Sequence, residues 1–164
     1  MGAITSPTIL NSANDTGQFC CGIMSLDEWL KKRALKNQKN GASRCFVICD
    51  GNRVIGYYAL ATGSVERLIV PGPIARNMPD PIPVIIIGRL AIDSEYQGRR
   101  LGSALLKDAM LRTLSIAQNV GVRGLLVHAI SDEAKQFYLN YGFQTSPIEQ
   151  MTLLLSIKHL ENYL

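Results

Sequence analysis

The sequence has no run approaching the roughly 18 consecutive apolar residues that a membrane-spanning helix needs, and its N-terminus shows no basic stretch followed by an apolar one. A membrane span is therefore excluded and a secretory leader is not expected, so the chain is read as cytoplasmic. Its four cysteines, Cys20, Cys21, Cys45 and Cys49, form no C-x-x-C pair. They read as buried, reduced thiols, with no metal site. Neither phosphate-loop signature is present: G-x-x-x-x-G-K-[ST] is absent, and no G-x-G-x-x-G opens a first βαβ unit. Charged residues, at 18%, fall below the usual quarter, while 47% of the 164 residues are apolar. This content suits one globular domain, residues 1–164, with a sizeable core. Internal repeats and low-complexity tails are lacking. Met1, Gly2 and Ser6 fit the myristoylation pattern, but three fixed positions make a weak motif and Gly2 reads as an ordinary second residue. The net charge of +4 and pI near 9 permit an anionic partner without requiring one.

What is present alternates between strand and helix patterns. Ser25-Leu26-Asp27-Glu28 has the form of a capping box and predicts a helix start, with Leu26, Trp29, Leu30 and Ala34 as the buried stripe. Lys31, Lys32, Arg33, Lys36 and Lys39 crowd the other side, five cations without an acid in nine residues. "RCFVIC" and "RVIGYYAL", joined through Asp50-Gly51, predict a β-hairpin, and "SVERLIV" predicts a third strand. Five of the seven prolines lie between Pro71 and Pro83, which predicts an irregular surface loop. "VIIIGRLAID" is too continuously apolar for a strand wet on one face and belongs at a sheet centre. A helix over about 102–119, a strand "RGLLVHAI", a helix over about 132–140 stopped by Gly142, and a strand around 151–157 complete an α/β pattern: a mixed central sheet flanked by helices.

The turn between "GRLAID" and the following helix concentrates backbone N–H groups and positive charge. A helix N-terminus there presents unsatisfied donors and the positive end of the dipole, which suits a phosphate. Gly98 and Gly102 let the backbone approach an anion closely, and Gln97, Arg99 and Arg100 offer side-chain donors. A pyrophosphate would fit; the plain alternative is a short connection whose glycines only turn the chain.

Gln97-x-x-x-x-Gly102 after that strand, followed by "AKQFYLNYGF", resembles the acetyl-CoA signature Q/R-x-x-G-x-G/A of the Gcn5-related N-acetyltransferases (GNAT), with Arg100 at the middle glycine position. The segments from about Cys21 to Leu160, including "GYYALATGSV", "GVRGLLVHA" and "SPIEQMTLLLSIKHL", further resemble the acetyltransferase toxins of bacterial type II toxin–antitoxin modules. The resemblance implies the GNAT acyl-CoA N-acyltransferase fold, with acetyl-CoA as co-substrate and no metal. It implies transfer of acetyl to the α-amino group of aminoacyl-tRNA, which blocks translation. It also implies a homodimer and a ribbon-helix-helix antitoxin through which the pair reaches operator DNA as a repressor. On the resemblance, Gln97, Gly98, Arg99, Arg100, Leu101, Gly102 and Ser103 bind acetyl-CoA. Leu90, Ala91 and Ile92 run along its pantetheine, a main-chain N–H serving as oxyanion donor. Tyr138 matches the general acid, with Tyr141 as the rival.

Elementary chemistry is consistent with that substrate. Attack on a thioester needs a neutral amine, and an α-amino group with a pKa of about 8 is partly neutral at pH 7 where a lysine near 10.4 is not. No side chain stands out as a general base; Glu66, Asp93 and His128 are the candidates. The clustered cations, with Arg76 and Lys135 as extensions, suit a phosphate backbone, although each alone could be an ordinary solvated residue. No RRM-like or KH-like signature is present, so shape and the acceptor end would be recognised instead of a base code. Two alternatives stay open: acetylation of protein N-termini or a small amine, and a non-catalytic acetyl-CoA-binding partner subunit.

Overall fold

The computed structural model describes residues 3–163; Gly2, with its weak acylation motif, lies outside them. In chain order the elements are β1 (Thr8–Ile9), α1 (Met24–Lys32), α2 (Ala34–Lys39), β2 (Arg44–Asp50), β3 (Arg53–Val65), α3 (Gly72–Ala75), β4 (Ile82–Ile92), α4 (Leu101–Ala117), β5 (Gly124–His128), α5 (Asp132–Asn140), β6 (Gln144–Thr145), β7 (Thr152–Ser156) and α6 (Ile157–Tyr163). The strands form one mixed sheet in the order β1-β2-β3-β4-β5-β7-β6, with β4 and β5 parallel and β5 and β7 antiparallel. This is the expected fold class, and "VIIIGRLAID" is indeed central. No helix among the described residues is long and apolar enough to cross a membrane. The chain divides into two compact units, one comprising residues up to Ala61 with Gly88–Ala109, the other Thr62–Ile87 with residues from Met110 onward.

In the first unit the β2–β3 hairpin turns as expected at Gly51, whose φ of 64° is the left-handed conformation such a turn requires. Its buried face, Cys45, Val47, Val54, Tyr57 and Ala59, packs with Leu26, Trp29, Leu30 and Ala34. Tyr57 fixes this contact: its ring stacks on Trp29 at 5.8 Å between centroids, and its hydroxyl donates to the Leu26 carbonyl at 2.8 Å. The predicted capping box is not formed. The helix begins two residues earlier, at Met24 with Ile23 as its N-cap, the backbone N–H groups of Leu26 and Asp27 already donating to the Ile23 carbonyl. Ser25 therefore sits inside the first turn, and Glu28 pairs with Lys32 at 2.6 Å instead of reaching back. One predicted helix is also two, broken at Arg33, whose backbone leaves helical geometry. Cys45 and Cys49 are buried thiols, burial pushing Cys45 up to about 12, but Cys20 is exposed.

In the second unit Val70, Ile74, Ala75, Ile82, Val84, Leu126 and Leu154 form the core. "SVERLIV" is not a separate strand: β3 runs on to Val65, and Arg67–Ile69 turns as a 3₁₀ helix. Arg67 explains the turn. Its backbone N–H donates to the Asp80 carboxylate at 3.1 Å and its guanidinium to the carbonyls of Ala75 and Met78, tying it to the proline-rich segment. That segment is more regular than its prolines suggest. Pro73 falls in the first turn of α3, where a missing N–H costs nothing, and β4 begins at Ile82. Gly142, with φ of 91°, ends α5 as expected, while the short β1 and β6 and the terminal α6 were not anticipated.

Candidate active site

The parallel register of β4 with β5 runs from Val84–Gly124 to Ile87–Val127. Because β4 continues to Ile92, Leu90, Ala91 and Ile92 lie beyond that pairing, so their main chain is suited to an extended, amide-bearing ligand. Ala91 is buried in the first unit's core, while Leu90 and Ile92 are partly exposed. The strand ends at a clamp: Gln97 Nε2 donates to the Ile92 carbonyl at 2.9 Å and to the Cys21 carbonyl at 3.3 Å. The Gln97 side chain thus braces the loop, and its donors are spent on backbone.

Between strand and helix the buried Asp93 caps a short 3₁₀ turn. Its carboxylate accepts from the N–H groups of Glu95 at 3.0 Å and Cys20 at 3.1 Å and pairs with Arg53 at 3.4 Å. These partners make Asp93 a structural anion. Tyr96, unremarked in the sequence, donates its hydroxyl to Asp50 at 2.5 Å, a hydrogen bond that raises the phenol's pKa. The Arg99 guanidinium lies 4.9 Å from the centroid of the Tyr96 ring, giving this exposed cation a fixed support. Gly98 and Arg100, at φ of 82° and 62°, are both left-handed and turn the chain into α4 at Leu101. Around Gly98 a Cβ would meet no atom within 4 Å, so the cradle is open. Leu101 and Gly102 then begin α4, whose N-terminus carries the positive end of the helix dipole. Open backbone, a helix start and two exposed arginines fit a pyrophosphate.

In the second unit Tyr138 is buried on α5, its ring 5.2 Å from Phe137 and 5.3 Å from Phe143 between centroids. Burial pushes its phenol well above the ordinary value, so it holds its proton throughout the physiological range. Ser131 fixes the start of α5, its hydroxyl accepting from the Ala134 N–H at 3.1 Å. Tyr141 is only partly buried, against Phe137 at 5.3 Å. His128, exposed at the end of β5, has Nδ1 2.8 Å from the Thr152 hydroxyl. Glu66 is exposed, its backbone carbonyl accepting from Ile69. Of the five clustered cations, all exposed on α1, α2 and the break between them, Lys32 is the one in an ion pair among the described residues. Arg76 is exposed at the end of α3 and Lys135 partly exposed on α5.

Residues 41–145 match the acetyltransferase (GNAT) domain family. The chain belongs to the GNAT acetyltransferase family. This GNAT is 48% identical to a tRNA-acetylating toxin of Mycobacterium tuberculosis, the similarity covering 96% of this chain and 95% of that protein. Its fold is that of AtaT complexed with acetyl-methionyl-tRNAfMet, at a TM-score of 0.90 and 29% identity over 98% of both chains. It is similar too to a tyrosine-to-phenylalanine mutant of AtaT bound to acetyl-CoA and the C-terminus of the antitoxin AtaR, with TM-score 0.83 and 28% identity over 98% of this chain and 97% of that one. The GNAT match spans the loop and Tyr138 but begins after α1 and α2, so the cationic cluster is outside it.

Arg100 departs from the GNAT loop pattern, yet keeps the backbone that a glycine there would take. A non-glycine residue in that conformation costs about 1–2 kcal/mol. Arg100→Gly is therefore expected to raise stability to denaturant by roughly 1 kcal/mol. The same change should raise KM for acetyl-CoA about tenfold by removing a charge-assisted phosphate contact. A more stable variant with unchanged KM would show that the cation makes no such contact.

Proposed function

We propose that this GNAT is the toxin of a type II toxin–antitoxin pair, moving acetyl from acetyl-CoA to the α-amino group of aminoacyl-tRNA and so blocking translation in the cytoplasm. The observation that carries the reading is its 48% identity, over nearly the whole chain, to a tRNA-acetylating toxin. Its parts act as one catalytic domain and as a homodimer, with a ribbon-helix-helix antitoxin linking it to operator DNA. Arg99, Arg100 and the backbone from Gly98 to Ser103 hold the pyrophosphate of acetyl-CoA. The main chain of Leu90, Ala91 and Ile92 holds the pantetheine, and one N–H there stabilises the negative charge that develops on the thioester oxygen. The amine nitrogen bonds to the carbonyl carbon, the C–S bond breaks, and Tyr138 gives its phenolic proton to the departing thiolate. The amine's surplus proton passes to solvent, as an α-amino ester is acidic enough to need no strong base. Lys31, Lys32, Arg33, Lys36, Lys39 and Arg76 contact tRNA phosphates.

Incubating the protein with labelled acetyl-CoA and a total pool of charged tRNA, then digesting with nuclease, is expected to yield N-acetylated aminoacyl-adenosine. CoA release on peptides or polyamines, with no such adduct, would instead make it a GNAT for free amines.

A further inference from the structure

The first unit contains a cavity of about 190 Å³ that none of these roles uses, walled in part by Trp29 of α1, Asn37 of α2, Ser43, Ala61 of β3 and Arg89 of β4. Three observations bear on its occupant. The Ser43 hydroxyl oxygen is buried and has no hydrogen-bond partner among the described residues. Such a group is costly to leave unsatisfied, so the wall is suited to a guest with polar atoms. Next, the Arg89 guanidinium lies 4.4 Å from the Trp29 ring centroid, and among the described residues no carboxylate lines the cavity. The wall combines a flat aromatic face with one uncompensated cation. Finally, Arg89 directly precedes Leu90, Ala91 and Ile92, the main chain assigned above to acetyl-CoA. At about 3.3 Å of strand per residue, Arg89 therefore lies roughly 3–10 Å along β4 from the three residues proposed to hold the pantetheine.

We infer that this cavity receives the side chain of the amino acid esterified to tRNA, and that Arg89, held on Trp29, excludes cationic side chains. The inference rests on the aminoacyl-tRNA reading. Counted in bonds from the attacking α-nitrogen, the side chain is the nearest variable group; the terminal adenine is farther off, beyond the ester and the ribose. Size agrees, since about 150 Å³ accommodates a benzene ring and this cavity, though part of its wall is polar, is somewhat larger. Lysyl and arginyl side chains would meet a like charge and no carboxylate.

The test is the distribution of N-acetylated aminoacyl-adenosines formed from a pool of tRNA charged with all amino acids. Ala61 shares a strand face with Tyr57 and Ala59, so Ala61→Leu fills the cavity. It is expected to lower the ratio of bulky to small acetylated residues about tenfold or more, with acetyl-CoA affinity retained. Arg89→Gln is expected to raise the lysyl and arginyl share about tenfold. Ser43→Ala, which removes the orphaned hydroxyl at little steric cost, serves as a third probe should Ala61→Leu fail to fold. Folded variants with the wild-type distribution would overturn the cavity assignment and leave the tRNA reading intact. A wild-type protein that forms no acetylated aminoacyl-adenosine would overturn both.

Discussion

Tyr138→Phe is expected to lower the rate of acetyl transfer to aminoacyl-tRNA by about 10²–10⁴, the contribution typical of a positioned general acid. The phenylalanine ring keeps the contacts with Phe137 and Phe143, so the fold and the affinity for acetyl-CoA should be close to those of the wild type. What is lost is one proton, which burial holds firmly on the phenol. The sign of the pH dependence follows. Because the shift is upward, the acid form persists past the ordinary tyrosine value near 10, and any decline below pH 8 belongs to protonation of the attacking amine. A decisive control is an acetyl thioester of an acidic aryl thiol, which departs as thiolate unaided. If Tyr138 is the acid, the variant should recover most of its activity with that donor. Equal impairment with both donors would rule the role out. Tyr141→Phe, at a partly buried position, should change the rate no more than about threefold.

How much of this was legible depended on whether the signal was local. Asp50-Gly51 encodes its turn through backbone conformation alone, and Gly142 its helix stop, so both appear where expected. The Ser25 cap was misplaced because Ile23 supplies the first acceptor carbonyl and Asp27, reaching the Cys21 N–H at 2.8 Å, organises the entry instead. "SVERLIV" carries strand propensity, but Arg67 is bound to Ala75, Met78 and Asp80, partners eight to thirteen residues away that periodicity does not register. Two-residue strands such as β1 and β6 are too short for a period to show. The turn at Gly98 was visible through its glycine, whereas the brace of that loop, Gln97 on Ile92 and Arg99 on Tyr96, was not. Tyr138 was marked only by family resemblance, since one aromatic on a helix has a core role by default. The Trp29–Arg89 cavity joins residues sixty positions apart and leaves no sequence pattern.

Lys31→Glu combined with Lys36→Glu is expected to weaken binding of charged tRNA about tenfold or more at 100 mM salt and to flatten its salt dependence. Each duplex phosphate contact releases condensed counterion, adding about 0.9 to the slope of log K against log salt, so losing two should reduce the slope by roughly 1.8. Anisotropy titrations between 50 and 200 mM salt resolve that change. The structure separates these cations from Lys32, which already pairs with Glu28 at 2.6 Å and has a counter-charge of its own. Lys32→Ala should therefore weaken binding less than Lys31→Ala, although the two lysines are adjacent and both exposed. An unchanged slope in the double variant would reduce the cluster to a solvated surface. Neutral changes at Arg76 and Lys135, the tRNA candidates outside the cluster, would then leave the acceptor end and its amino acid as the chief determinants of recognition. The outcomes separate a salt-sensitive contribution of the exposed cations of α1 and α2 from the selection of the aminoacyl group proposed for the cavity against Trp29. That division makes the two tests independent: charge on the helices changes how tightly any tRNA binds, whereas the cavity changes which aminoacyl group is chosen.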